Sequence, residues 1–271
     1  MTLGYVCLML LAYAGVASPD ELAHAASSEP KHIFILAGQS NMSGRGGSTT
    51  NGTWDGVVPP ECRPSSAILR LSAGLKWVEA REPLHQDIDV NATCGVGPGM
   101  AFANKLLEKN SSFRVVGLVP CAVGSFLGTK ISEWGRGTFL YNQLVKRARE
   151  AEHDGGRIEA VLWYQGESDT VNLTEAKLYK RRLRHFVEHL RADLRSPQLP
   201  VILVALASGQ GPYIEKVREA QLGTHLPNVK CVDAKGLQLV PDHLHLSTAG
   251  QVRLGEMLAD AFLQFNAAKK T

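Results

Sequence analysis

From Lys31 onward the chain alternates five short, continuous apolar runs with five helical patterns, and this alternation decides most of what it can fold into. The runs are His32–Ala37, Arg114–Val119, Ala160–Tyr164, Val201–Ala207 and Val229–Asp233. They are rich in β-branched residues and too short for helices, the pattern of strands buried on both faces. Helical periodicity fills the gaps at Pro98–Lys109, Thr138–Glu152, Thr174–Leu194, Tyr213–Leu222 and Ala249–Phe265. In the third of these, Leu183, Phe186, Val187, Leu190 and Leu194 make one apolar stripe, and Pro197 closes the helix. A strand reaches a parallel neighbour only through a crossover, usually helical. The order therefore predicts an α/β fold: a mostly parallel sheet of about five strands with helices on both faces.

Two segments depart from the alternation. Ser43–Ser66 is rich in Gly, Ser, Thr and Pro and too long for a routine connection, so it reads as a binding loop. A minor hairpin is expected at Ile68–Leu71 and Leu75–Val78. No repeat or linker divides the chain after residue 30, which predicts one domain over residues 31–266.

Charge excludes more than it assigns. With 29 basic and 26 acidic side chains the net charge is +3, without the basic excess of a nucleic-acid binder. A hydrophobic content of 44% is too high for intrinsic disorder. Lys177, Lys180, Arg181, Arg182 and Arg184 share a helix whose other face is apolar, and read as its solvated face. No CxxC pair suggests a zinc site, and no metal or organic cofactor is expected.

Residues 3–17 are almost wholly apolar, too short a run to span a bilayer comfortably. They read as the core of a signal peptide ending at Ala17 or Ala25, although no Lys or Arg precedes the run; an apolar N-terminal helix packed on the domain is the alternative. Five of nine asparagines (Asn41, Asn51, Asn91, Asn110 and Asn172) sit in N-x-S/T sequons. Leader and sequons together predict a secreted glycoprotein with no stable membrane anchor. Removing residues 1–25 takes away Cys7, Asp20 and Glu21, leaving 29 basic against 24 acidic residues, or +5. Of the remaining cysteines, Cys62 and Cys94 lie in turn-rich segments and are the expected bridge. Cys121 and Cys231 adjoin apolar runs and read as buried thiols; three pairings stay open.

In open parallel sheets ligands bind beyond the C-terminal ends of the strands. Chemically capable residues follow four of them. After the first comes Gly38-Gln39-Ser40-Asn41-Met42-Ser43-Gly44-Arg45-Gly46-Gly47, a serine-bearing turn that reads equally as a helix cap. After the second, Cys121-Ala122-Val123-Gly124-Ser125 offers small residues with accessible amides, and after the third Gln165-Gly166-Glu167-Ser168-Asp169 offers a neutral donor beside two carboxylates. After the last, Asp242-His243-Leu244-His245 precedes Thr248 and Gln251, a capping-box pair that opens the final helix. An aspartate that fixes an imidazole tautomer is what a histidine base needs to deprotonate a serine. His-x-His is equally half of a metal site, but no second ligand pair follows a strand. Gly95–Gly99 reads as a helix start rather than a dinucleotide loop, and Trp54 and Trp134 lie in loops where an indole either stacks on a sugar or packs half-buried.

The blocks G-Q-S-N-M-S-G-R-G, G-P-G-M-A-F-A, W-Y-Q-G-E-S-D and D-H-L-H-L-S, spread over residues 31–266, resemble the sialate O-acetylesterase-like branch of the SGNH hydrolase superfamily. Within it they are most similar to plant carbohydrate esterases of family 6. The resemblance implies a flavodoxin-like three-layer α/β/α sandwich and a serine esterase that removes O-acetyl groups from a carbohydrate. It implies Ser40 as nucleophile with Asp242 and His245, and an oxyanion hole from the Ser40 and Gly124 amides and Gln165. Asn41 and Glu167 would support the site. His243 competes with His245 for the role of base, and the family spacing of three from the aspartate favours His245. Beside the nucleophile, Asn41 would be a sterically poor glycan acceptor. Two alternatives stand: a non-catalytic carbohydrate-binding protein on this scaffold, and a lipid or aryl ester hydrolase, against which the polar Ser43–Ser66 loop argues.

Overall fold

The sheet is built around β1 (Lys31–Gly38), whose residues from Ile33 to Gly38 are all buried. In the computed structural model, which describes residues 30–268 apart from 50, 125–126 and 154, β1 lies between β4 (Val116–Pro120) and β5 (Gly156–Tyr164) and is parallel to both. Beyond β5 come β6 (Val201–Ala205) and β7 (Val229–Asp233), also parallel. The expected leader, residues 1–25, lies outside the described residues. Among those described, no helix is long and apolar enough to cross a membrane.

Two strands join the five expected ones. The hairpin β2 (Ile68–Leu71) and β3 (Trp77–Glu79) is no separate flap: β2 pairs in parallel with β4, giving the order β3-β2-β4-β1-β5-β6-β7. Among the strands of the described residues, only the β2–β3 pair is antiparallel. Four-residue β2 carries too few positions to show which sheet its apolar ends serve. β5 starts earlier than its apolar run because Gly156–Glu159, half of it polar, still pairs with the start of β1.

The helices are α1 (Ser40–Ser43), α2 (Pro98–Lys109), α3 (Phe139–His153), α4 (Leu173–Asp193), α5 (Ile214–Leu222) and α6 (Thr248–Ala268). One layer of the core joins Phe34 to Phe102 of α2 and Phe262 of α6, with ring centroids 4.8 and 4.9 Å apart. The opposite layer joins Trp163 of β5 to Trp134 and to Phe186 of α4, at 5.2 and 4.2 Å. Such edge-on and tilted rings add to the burial energy of the aromatic core. Of the α4 stripe, Leu183, Phe186, Val187 and Leu190 are buried.

Several local expectations need correction. Cys62 and Cys94 do not bridge; both are buried free thiols, as is Cys121, while free Cys231 is half-buried. Trp134 is fully buried and gives its indole N–H to Thr129, so it offers no sugar platform, whereas Trp54 is half-buried. The cap of α6 is Ser247, whose Oγ accepts the Gly250 N–H at 3.2 Å. Gln251, assigned to the capping box, instead donates to the Asn41 carbonyl. The Ser43–Ser66 loop divides: Ser43–Gly47 folds inward beside Val96, and Pro60–Cys62 forms a 3-10 turn tied to α2 through Asn104.

Candidate active site

Ser40 follows the last residue of β1 by two positions because the chain turns sharply there. Gly38 has φ +135°, and a Cβ on it would lie 2.0 Å from the Tyr164 carbonyl oxygen, so only glycine fits. The next amide, Gln39 N–H, caps β5 by donating to that oxygen at 2.9 Å. The turn delivers Ser40 to the first position of α1, at the C-terminal edge of the central strand.

The other half of the site is the loop between β7 and α6. Asp242 Oδ1 accepts the Leu244 and His245 N–H groups at 2.8 and 2.9 Å, which closes the loop on the aspartate. Its Oδ2 lies 2.6 Å from His245 Nδ1, and His245 Nε2 lies 2.9 Å from Ser40 Oγ. A carboxylate only accepts, so Nδ1 carries the ring proton and Nε2 is left to accept from the serine hydroxyl. His243, the rival histidine, is exposed, takes φ +57° in the turn and makes no contact of this kind.

The electrostatics suit a base. Burial opposes the Asp242 charge, but the two backbone N–H groups and the imidazole outweigh it and hold the carboxyl below its usual range. Burial also lowers His245; Asp242 resists, and the nearby Arg45 guanidinium adds to the lowering. The imidazole is therefore neutral and able to accept a proton at neutral pH.

Asn41 ties the halves together. Fully buried, it donates to Glu167 Oε1 at 2.8 Å and to the Leu244 carbonyl at 3.3 Å, and accepts the Leu246 N–H at 2.8 Å. A buried amide so engaged has no room for a glycan. Glu167 lies behind it, and burial pushes its carboxyl up to about 7, against the Asn41 hydrogen bond.

The expected oxyanion donors fare differently. Gln165 is fully buried, with its Nε2 committed to the Thr129 carbonyl at 2.5 Å and the Asp169 carboxylate at 2.8 Å. It pins the loop after β5, because burying a side-chain amide requires such partners. Gly124 does lie against the nucleophile: a Cβ there would be 2.8 Å from Ser40 Cα. Its N–H, however, is given to Asp89 Oδ2 at 3.0 Å. Three neighbours escaped the sequence reading: Ser43, Arg45 and Asp89, all buried beside Ser40. Arg45 stands in the first block, but Asp89 lies in an aperiodic stretch that nothing in the sequence links to it. Among the described residues no group of three or more His, Cys, Asp or Glu is placed to hold a metal ion.

A family model described as carbohydrate esterase, sialic acid-specific acetylesterase matches residues 30–264. A protein of Arabidopsis thaliana named as a probable carbohydrate esterase is 57% identical over 242 residues, 86% of this chain and 91% of its own length. The X-ray structure of an Arabidopsis thaliana protein superposes with a TM-score of 0.83 at 56% identity, covering 87% of this chain and 99% of that one. A carbohydrate acetylesterase from Xanthomonas citri shares the fold at TM-score 0.56 and 19% identity, covering 84% of this chain and 55% of its own. The chain is a carboxylic ester hydrolase and belongs to the carbohydrate esterase family of sialic acid-specific acetylesterases.

Proposed function

We propose that the protein removes O-acetyl groups from a carbohydrate by a Ser-His-Asp mechanism. The observation that carries the reading is the relay of 2.9 Å from Ser40 Oγ to His245 Nε2 and 2.6 Å from His245 Nδ1 to Asp242. Ser40 Oγ attacks the acetyl carbonyl carbon as its proton passes to His245 Nε2, and Asp242 stabilises the imidazolium. The negative carbonyl oxygen forms against the Ser40 N–H at the start of α1; one such donor is worth about 2.7–4 kcal/mol of activation energy. As the C–O bond to the sugar breaks, His245 returns its proton to the leaving hydroxyl. Water, deprotonated by the same imidazole, then releases acetate and restores Ser40. None of these steps calls on a metal or organic cofactor.

The proposal includes secretion through the residue 1–25 leader. Asn51 and Asn91 are the sequon asparagines that stay exposed without acting as a cap. Asn172 caps α4, and Asn110 accepts the Ser112 N–H. Acetate release from acetylated xylan and from 4-nitrophenyl acetate by wild type, but not by Ser40→Ala, tests the chemistry. Mass spectrometry of the mature N-terminus tests the leader, and an intact Met1 would sink it.

A further inference from the structure

The groups around His245 and Ser40 come from four elements. Asp242 belongs to the histidine's own loop. Glu167 reaches that loop through Asn41 from the segment after β5. Arg45 approaches from the turn after α1, and Asp89, 1% exposed, comes from the irregular stretch before α2. One oxygen of Asp89 gathers three donors: Arg45 Nη2 at 2.6 Å, Ser43 Oγ at 2.8 Å and the Gly124 N–H at 3.0 Å. Arg45 in turn donates to Ser43 Oγ at 2.7 Å and to the Gly44 carbonyl at 2.9 Å. These contacts tie the end of the four-residue nucleophile helix to Asp89 through Ser43.

Gly124 lies in the segment that follows β4. A Cβ at that position would meet Arg45 Nη2 at 2.6 Å and Ser40 Cα at 2.8 Å, so the chain after β4 is pressed directly onto the nucleophile. The bond to Asp89 fixes it there. We propose that Asp89 is a positioning residue for the reaction: its carboxylate locks Gly124 and the nucleophile turn together and neutralises the Arg45 guanidinium beside His245. The proposal rests on the reading of Ser40 and His245 given above.

The charge role separates positioning from plain structural support. Burial works against the Asp89 charge, but Arg45, the Gly124 amide and Ser43 hold its carboxyl below the usual range, so it is ionised. Arg45 depresses His245. Without Asp89 the guanidinium has no ionic partner, and its pull on the imidazole is expected to grow; without Arg45 that lowering is lost.

The test compares wild type, Asp89→Asn, Arg45→Gln and Ser40→Ala as full chains on 4-nitrophenyl acetate, recording kcat, KM, melting temperature and the pH profile of kcat/KM. Asp89→Asn is expected to lose about 10²-fold in kcat with little change in KM, the cost of a displacement near 1 Å at a reacting group. Its acid limb moves to lower pH, and that of Arg45→Gln moves to higher pH. Loss of stability alone would leave both limbs in place. Unchanged kcat with an unmoved limb in Asp89→Asn would overturn the proposal, and so would a rise in kcat, which would mean that Asp89 only withholds the Gly124 amide. If Asp89→Asn does not fold, an unmoved limb in Arg45→Gln overturns it alone. Inactive Ser40→Ala beside a normal Asp89→Asn refutes only the Asp89 role; an active Ser40→Ala refutes both readings.

Discussion

Glu167 makes the fold sensitive to pH in a direction opposite to that of most acidic side chains. It is fully buried, and burial lifts its carboxyl from an ordinary 4.5 to about 7, only partly opposed by the Asn41 amide. The folded protein therefore holds this proton more tightly than the unfolded chain. Its contribution is complete below pH 4.5 and is lost as pH rises through about 7. At about 1.4 kcal/mol per pH unit, the loss is of the order of 3 kcal/mol. Glu167→Gln keeps an oxygen for Asn41 Nδ2 and removes the titration. Urea unfolding of wild type and variant between pH 4.5 and 8.5, read as the difference between them, cancels other buried groups such as Asp169, pushed up to about 6, and His85, pushed down to about 3. The variant should gain on the wild type steadily with pH, by about 3 kcal/mol at pH 8. Two curves that stay parallel would refute the reasoning, because Glu167 would then ionise in the fold as it does in water.

Four further outcomes follow from named contacts. Asn41→Ala leaves the Glu167 carboxylate and the Leu246 N–H without their partner, and should cost about 2–4 kcal/mol in unfolding free energy and lower kcat through the His245 loop. Gly38→Ala places a methyl group 2.0 Å from the Tyr164 oxygen at positive φ, and should destabilise by more than about 4 kcal/mol, or prevent soluble expression. The pH profile of kcat/KM should show an acid limb below the ordinary histidine value of 6.5, since burial lowers His245. Asp242→Asn, which cannot hold the imidazolium, should lose about 10⁴-fold in kcat.

The parallel core of the sheet was legible because β1, β4 and β6 are short apolar runs with helical patterns between them. Val229–Asp233 and Pro98–Lys109 match their elements residue for residue. The edge was less legible, because a hairpin of four and three residues shows no period that distinguishes an appended flap from two more strands. In the site, Ser40, Asp242 and His245 stand out as residue types that follow strands, and the structure brings them within hydrogen-bonding distance. Gln165 carries a second physical demand that its sequence position does not show: the end of a buried strand needs amide partners as much as an oxyanion does, and its Nε2 meets Thr129 and Asp169. Asp89 was invisible because its partners, Arg45 and Gly124, are 44 and 35 residues away and only the folded chain pairs them.

The most direct measurement is acetate release from acetylated xylan by wild type and Ser40→Ala at matched, folded concentrations. Wild type should hydrolyse the substrate, with a fall of about 10⁴-fold or more in the variant, as for loss of a serine nucleophile. Equal rates in the two proteins would contradict it.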